Sequence, residues 1–574
     1  MRKVPSTVSI APTNARRRWW TVFGLVLVAA GVWALATPLF TGPDEVSQVR
    51  RAAAVVRGQI IGERTGPDPV LLVRVDVPGL YGPAAEQQWL CHLGPLVDGA
   101  PQEAMVLPRP DCPDLRAVDQ ATVAADTVQY RGQPFYYALA GAPTLVDQGL
   151  VGAYAMRMVG AVLTAALVAS AAATLALAAR PSLAGLGLLV CLTPAVLYLA
   201  GSTNPSSVEI AAALSAWAAV AVLAASSTSA GDVTRDGQGL GDDGRELRSG
   251  NARQVDGAAA DLAPIDGTPT DGTPTDGSSF SSARARDGAV HLLDEATTAA
   301  IIRRLGVALV VLSFGRGLGP AFAAAVAAVG ALVLGRAGVG SLLRRGDLRR
   351  WAAAVTAAVA VSGLWLAHIG RAYPLPDRPG SGWARALGWV PWYLHQMVGV
   401  FGTNDSAVSV WAAGLWGLVS IAVVAAGLAT MVRHGRYRVA VAAVGTLVAG
   451  VAMNVTAEGL SLPPIGFFWQ GRYSLPLLVG GVILATASIG SPAGSTEDRS
   501  PRFDLFLAVA VTAVVTVVHV HALVVVTGHL GLAGSKGSGA MATLLAGVVV
   551  ALGKAVALSA PPISSPAKGD PGAA

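Results

Sequence analysis

Asp44 and Glu45 stand side by side after Pro43, within Pro38-Leu-Phe-Thr-Gly-Pro-Asp-Glu-Val-Ser-Gln48, at the end of an apolar run that begins near Trp19. A carboxylate pair anchored to a rigid span yet open to water suits general-base chemistry. Arg316 and Arg472 suggest a second kind of chemistry, because a guanidinium is the preferred bidentate partner of phosphate. Three further polar stretches interrupt the apolar chain: the turn at Asn204-Pro205 with Glu209 just beyond it, the segment Gln396 to Asp405, and Trp469-Gln470-Gly471-Arg472-Tyr473. Ionisable groups at membrane depth are expensive and commonly functional. Structural readings stand beside these. Asp44 and Glu45 also suit the N-terminus of a helix through Arg50 and Ala54. Arg157 and Glu209 are expected to pair with each other, and Pro134-Phe-Tyr-Tyr137 reads as an aromatic belt.

The elements that must position these residues are membrane helices. Of 574 residues, 53% are hydrophobic and 13% are charged, against about a quarter charged in soluble proteins. Runs long enough to cross roughly 30 Å of hydrocarbon recur along the whole chain, about twelve in number. The chain is therefore expected to be an all-α polytopic integral membrane protein. The net charge is +6, but Lys and Arg fall mainly in short loops after alternate spans, which reports topology and excludes a nucleic-acid partner. No P-loop, dinucleotide fingerprint or zinc spacing is present. His519 and His521 are two apart and cannot share a helix face to hold a metal.

Residues 1–18 end in Arg16-Arg17-Arg18, which places the N-terminus in the cytoplasm and sends the first span, 19–40, outward as a signal anchor longer than a signal-peptide core. Residues 41–147 form an extracytoplasmic loop domain in which the alternating run Val70 to Val77 reads as a strand. There Cys91 and Cys112 are either disulfide-bonded or two free thiols. Spans two to four occupy 148–226. Residues 227–295, with the tandem Asp-Gly-Thr-Pro-Thr repeat, read as a disordered cytoplasmic linker. Spans five to seven fill 296–369, and 370–406, with Trp383, Trp389, Trp392 and Tyr393, suits a helix lying in the outer interface. Spans eight to twelve fill 407–558 and return a cytoplasmic tail, 559–574. In this topology all five polar motifs meet at the outer face of the plasma membrane.

Thr41-Gly-Pro-Asp-Glu45, Gly201-Ser-Thr-Asn-Pro205 with Glu209, Gly315-Arg-Gly-Leu-Gly-Pro320, Gln396-Met-Val-Gly-Val-Phe-Gly402 and Trp469-Gln-Gly-Arg-Tyr473 resemble the successive motifs of the bacterial "domain of unknown function 2142" membrane proteins. That family is similar to the C-type glycosyltransferases, which take sugars from polyprenyl-phosphate carriers at the outer face. The resemblance implies an acidic residue of the first outer loop as catalytic base or metal ligand, a position that Asp44 matches. Two residues depart from the pattern: Asn404 stands where an apolar residue is expected before Asp405, and Arg316 follows Gly315 where a hydroxyl residue is expected.

The expected function is transfer of a sugar from a lipid-phosphate donor to an envelope acceptor, with Asp44 or Glu45 as base. Arg472 and Arg316 would take the phosphate, and Asn204, Glu209, Gln396, Asp405, Trp469, Gln470 and Tyr473 would complete the site. No cofactor is required by this reading, though a divalent metal is compatible with it. The competing expectations are a transporter or flippase of lipid-linked precursors and a non-catalytic envelope assembly protein.

Overall fold

The computed structural model describes residues 12–65, 72–98, 100, 110–178, 180–246, 293–372, 382–461, 469–487, 501–531 and 536–558. The architecture is an all-α bundle with two small sheets. Helix α1 (Pro12–Ala36) leads to the outer-loop domain, which contains α2 (Glu45–Val55), β1 (Glu63–Thr65), β2 (Leu72–Pro78), α3 (Pro83–His92), β3 (Thr122–Thr127) and α4 (Pro134–Gly141). Next come α5 (Leu150–Leu175), α6 (Pro181–Cys191), α7 (Pro194–Ala200) and α8 (Pro205–Glu246). The second half holds α9 (Glu295–Ser313), α10 (Gly319–Leu343), α11 (Gly346–Ala372), α12 (Trp383–Gly388) and α13 (Val390–Gly399). After them β4 (Val400–Phe401) turns back into β5 (Ser406–Ala407), followed by α14 (Val410–Arg433), α15 (Tyr437–Ser461), α16 (Leu475–Ala487), α17 (Pro501–His529) and α18 (Lys536–Gly553).

Among the described residues ten helices are long and apolar enough to cross a membrane, and the bent pair α6–α7 makes an eleventh. Span ten, expected over 473–490, is shorter than expected: residues 471–487 form a 3-10 turn and α16, below full crossing length. Span three is broken as well as short, with a 68° bend between α6 and α7. Pro194 has no N–H to give the preceding turn, and the Thr193 side chain caps α7 by accepting from the Val196 N–H at 3.3 Å. The Leu192 carbonyl released by the break accepts from His519 Nε2 at 3.0 Å. His521 faces elsewhere, 2.9 Å from Ser409 Oγ, so the two histidines do part company.

The portion of α8 from Pro205 to Ala225 is wholly buried and forms the axis of the bundle, in contact with α5, α9, α10 and α16. Trp217 locks it to α16 by donating to the Pro476 carbonyl at 2.9 Å. The helix continues to Glu246, into the stretch expected to be a disordered linker; 247–292 lies outside the described residues. The basic loops gather at one end of the bundle, where Arg18 donates to the Val556 carbonyl, Arg304 to Thr174 Oγ1 and Arg438 to the Leu332 carbonyl.

At the opposite end the loop domain sits on the helices. Strand β2 runs antiparallel to β1 and β3, with Val75 opposite Ala125, and its alternation is the expected one: Val73, Val75 and Val77 are buried. Arg50 of α2 fastens this sheet, donating to the carbonyls of Tyr81, Gly82 and Asp126 at 2.8–3.0 Å. Cys91 and Cys112 are joined in a disulfide. The expected interfacial helix is two short helices, α12 and α13, and only Trp383 among its four named aromatics is exposed, because Trp392 and Tyr393 pack inward. Gly471 lies against the Tyr393 carbonyl, where a Cβ has no room. Gly471→Ala is therefore expected to push the α16 entry off α13 and lower the yield of folded protein, read by size-exclusion chromatography in detergent.

Candidate functional site at the loop-domain end of the bundle

Glu45 is the buried member of the acidic pair. Its carboxylate takes Arg157 Nε at 2.8 Å and Nη2 at 2.7 Å, and also the backbone N–H groups of Thr203 and Gly42, both at 3.0 Å. Burial alone pushes this carboxyl up, but the Arg157 charge and these hydrogen bonds outweigh it and hold it below the usual carboxylate value. Arg157 spends its remaining donors on the carbonyls of Ala34, Thr37 and Pro38, where α1 ends. The expected Arg157–Glu209 pair is thus replaced by Arg157–Glu45. Every lone pair Glu45 can offer is committed, which leaves it a clamp between α1, α5 and the Gly201–Asn204 turn and removes it from the role of base. Asn204 completes the clamp, donating to the Pro43 carbonyl at 2.9 Å. Gly42 fits because an added Cβ would stand 2.9 Å from the Ser202 Cβ.

The same turn sends Asp44 the other way. Asp44 has φ 58°, in the left-handed region, and does not cap α2 with its side chain. Aspartate tolerates this conformation better than most residues, though at a cost of about 1 kcal/mol or more. Its Oδ2 accepts from Arg472 Nη2 at 2.7 Å, and its side chain is 34% exposed. Arg472 is buried, yet its Nε has no partner. Tyr473 lies between two guanidinium groups, 4.2 Å from Arg316 and 5.2 Å from Arg472, measured to the ring centroid. Arg316 also donates to Ser206 Oγ at 2.6 Å. Burial works against the Arg316 charge, but Tyr473 and Glu209 more than offset it and hold the group above its ordinary value. Glu209 is buried beside it with Oε1 unpartnered. Tyr137 closes the cluster: burial pushes its hydroxyl up to about 12 against the charges of Arg316 and Arg51, so it stays a neutral donor, given to Gln48 Oε1 at 2.5 Å.

Beside Arg472 a recess of about 320 Å³, counting its open mouth, is lined by Pro43, Tyr198, Gln396, Asn404, Gln470 and Arg472, among others. Gln396 sets its floor, accepting from the Gly471 N–H at 2.7 Å and donating to Asn404 Oδ1 at 3.1 Å. Residues 27–237 match the family model described as predicted membrane protein (DUF2142). No curated protein and no solved structure matches the chain. The match bears out the resemblance read from the sequence over that stretch, which carries Asp44, Glu45, Asn204 and Glu209. The partners Arg316, Gln396, Arg472 and Tyr473 come from beyond it and are brought to it by the fold.

Asp405 lies apart from the cluster, whereas Trp469 stays beside it with its ring 5.2 Å from that of Tyr473. Asp405 is held 3.3 Å from the Gly94 N–H and 3.6 Å from His529 Nε2, in a second recess. Trp469 is an anchor: its backbone N–H donates to Glu458 at 2.6 Å and its indole to Asn454 at 2.8 Å. A divalent cation does not fit at Asp44, because the one carboxylate with an exposed face is already paired with a guanidinium and Glu45 is neutralised by another. Among the described residues the one His/Cys/Asp/Glu cluster is Cys91, His92 and Cys112, whose sulfurs are used in the disulfide. Sequence reasoning missed Tyr198 and Ser206, and it read Tyr137, which is buried in the cluster, as part of an aromatic belt. Tyr198 lies inside an apolar run and has only its hydroxyl as a signal.

Proposed function

We propose that this membrane protein is a glycosyltransferase that moves a sugar from a polyprenyl-phosphate donor to a cell-envelope acceptor at the extracytoplasmic face of the plasma membrane. The observation that supports it best is the Asp44–Arg472 pair, in which an accessible carboxylate is aimed at a buried guanidinium that keeps one donor unspent. The acceptor hydroxyl gives its proton to Asp44 as its oxygen bonds to the anomeric carbon. The bond from that carbon to the phosphate oxygen breaks, its electron pair leaves with the lipid phosphate, and configuration inverts. Arg472 and Arg316, gathered on one tyrosine ring, stabilise the charge that grows on the phosphate. The buried Glu209 favours the charged form of Arg316.

Arg472→Lys keeps the charge but loses the planar fork. Transfer in proteoliposomes given a polyprenyl-phosphate sugar is expected to fall roughly tenfold to a hundredfold, the worth of one charge-assisted contact of about 1.5–3 kcal/mol. Undiminished transfer would reduce Arg472 to a headgroup anchor, a role that lysine fills by snorkelling. A transporter is the second reading, because broken spans line many transporter sites. In this protein the freed carbonyl at the break is buried and capped by His519, not directed at a cargo path.

Orientation has its own test. In a Cys191→Ser background, Val146→Cys, at a position 93% exposed at the Asp44 end, should react with an impermeant thiol reagent in intact cells. Arg344→Cys, exposed in a basic loop, should be protected. The reverse pattern would put the site in the cytoplasm and overturn the proposal.

A further inference from the structure

We propose that the second recess is the acceptor subsite and that it takes an uncharged sugar unit at the end of an envelope glycan or glycolipid. This deepens the reading of Asp44 and Arg472 and rests on it. The recess lies between α3, the β4–β5 turn and the end of α17, and its polar and aromatic lining includes Trp89, His92, Asp405, Ser406 and His529. Tyr198 and Gly402 line both recesses, so the two share a wall. Their chemistry differs. Arg472 lines the first, whereas the second has a carboxylate and two imidazoles and, among the described residues, no Lys or Arg. An anionic group belongs in the first and a neutral polyol in the second.

The second recess has free hydrogen-bonding capacity of the kind a sugar uses. His529 Nε2 is buried without a hydrogen-bond partner, 3.6 Å from Asp405 Oδ2, which among the described residues takes only the Gly94 N–H at 3.3 Å. Between them they can accept and donate to adjacent hydroxyls. Trp89 presents an amphipathic ring on which the C–H face of a sugar packs. His92 Nδ1 is held 2.9 Å from the Gln88 carbonyl, which leaves Nε2 for a ligand. The wall is fixed: Cys91 next to His92 is tied to Cys112, and the Val97 N–H donates to the Asn404 carbonyl at 2.9 Å. A sugar seated there borders the phosphate recess along the shared wall of Tyr198 and Gly402.

The test measures binding, not turnover. Full-length protein in nanodiscs is titrated with methyl glycosides of mannose, galactose, glucose and arabinose by saturation-transfer NMR, and separately with decaprenyl phosphate. At least one glycoside is expected to bind, and to bind roughly tenfold more weakly or worse to Trp89→Ala and to Asp405→Asn. Asp405→Asn keeps the side-chain shape, and an unchanged thermal transition shows that it is folded. If no glycoside binds, or if the variants bind as the wild type does, the acceptor subsite is overturned. Decaprenyl phosphate separates the two claims: its binding with no glycoside bound leaves the donor reading standing, and its failure to bind removes both.

Discussion

Arg157→Met is expected to unfold the loop-domain end of this protein. The substitution keeps volume but leaves the Glu45 carboxylate, whose side chain is 1% exposed, buried with no counter-charge. Breaking one side of a buried pair costs on the order of 3–5 kcal/mol. It also takes a buried donor from the carbonyls of Ala34 and Thr37 at the end of α1 and leaves that of Pro38 to Thr41. Little Arg157→Met should reach the membrane in folded form, as measured by detergent-extracted monodisperse yield and thermal unfolding. Glu45→Gln with Arg157→Met removes the stranded charge and should recover part of the loss. The pH dependence has a defined sign: the folded Glu45 carboxyl titrates below its ordinary value. Its contribution is complete above about pH 4.3, the unfolded value, and is lost as pH falls through the lower folded one. A wild-type stability that rose on acidification through that window would contradict the clamp.

Asp44→Asn is the second large effect, and it falls on rate instead of folding. Asparagine is at home in the left-handed conformation that residue 44 adopts, so the turn keeps its backbone. Its amide oxygen can still accept from Arg472 Nη2, though without the charge. What it lacks is the basicity to take a proton, and a positioned general base is worth about a hundredfold to ten-thousandfold. Normal accumulation and thermal stability are expected alongside a loss of that size in transfer. An Asp44→Asn protein that transfers sugar at the wild-type rate would move the base elsewhere.

Much of this was readable from residue type and spacing. The apolar runs announced the spans, the alternation from Val70 to Val77 announced β2, and the polar motifs did converge at one end of the bundle. The unread part depends on distance along the chain. Nothing local says that Arg157 chooses Glu45, 112 positions away, over Glu209; the choice follows from α5 packing along α1 and presenting that turn of helix to the Gly42–Glu45 loop. Hydropathy registers residues 182–200 as one span because Leu192, Thr193 and Pro194 do not lower its average much, although they break the helix. Asp44 and Glu45 looked interchangeable as neighbours. One positive φ sends them to opposite partners, and only one faces solvent.

The central claim is that the Asp44 carboxylate performs sugar transfer to the envelope. The most direct measurement is the composition of envelope glycans, by mass spectrometry, in a host deleted for this protein and complemented with either the wild type or Asp44→Asn at matched membrane levels. The account predicts that one sugar residue is missing in the deletion, restored by the wild type and still missing with Asp44→Asn. Full restoration by Asp44→Asn, or an envelope unchanged by the deletion, would contradict it.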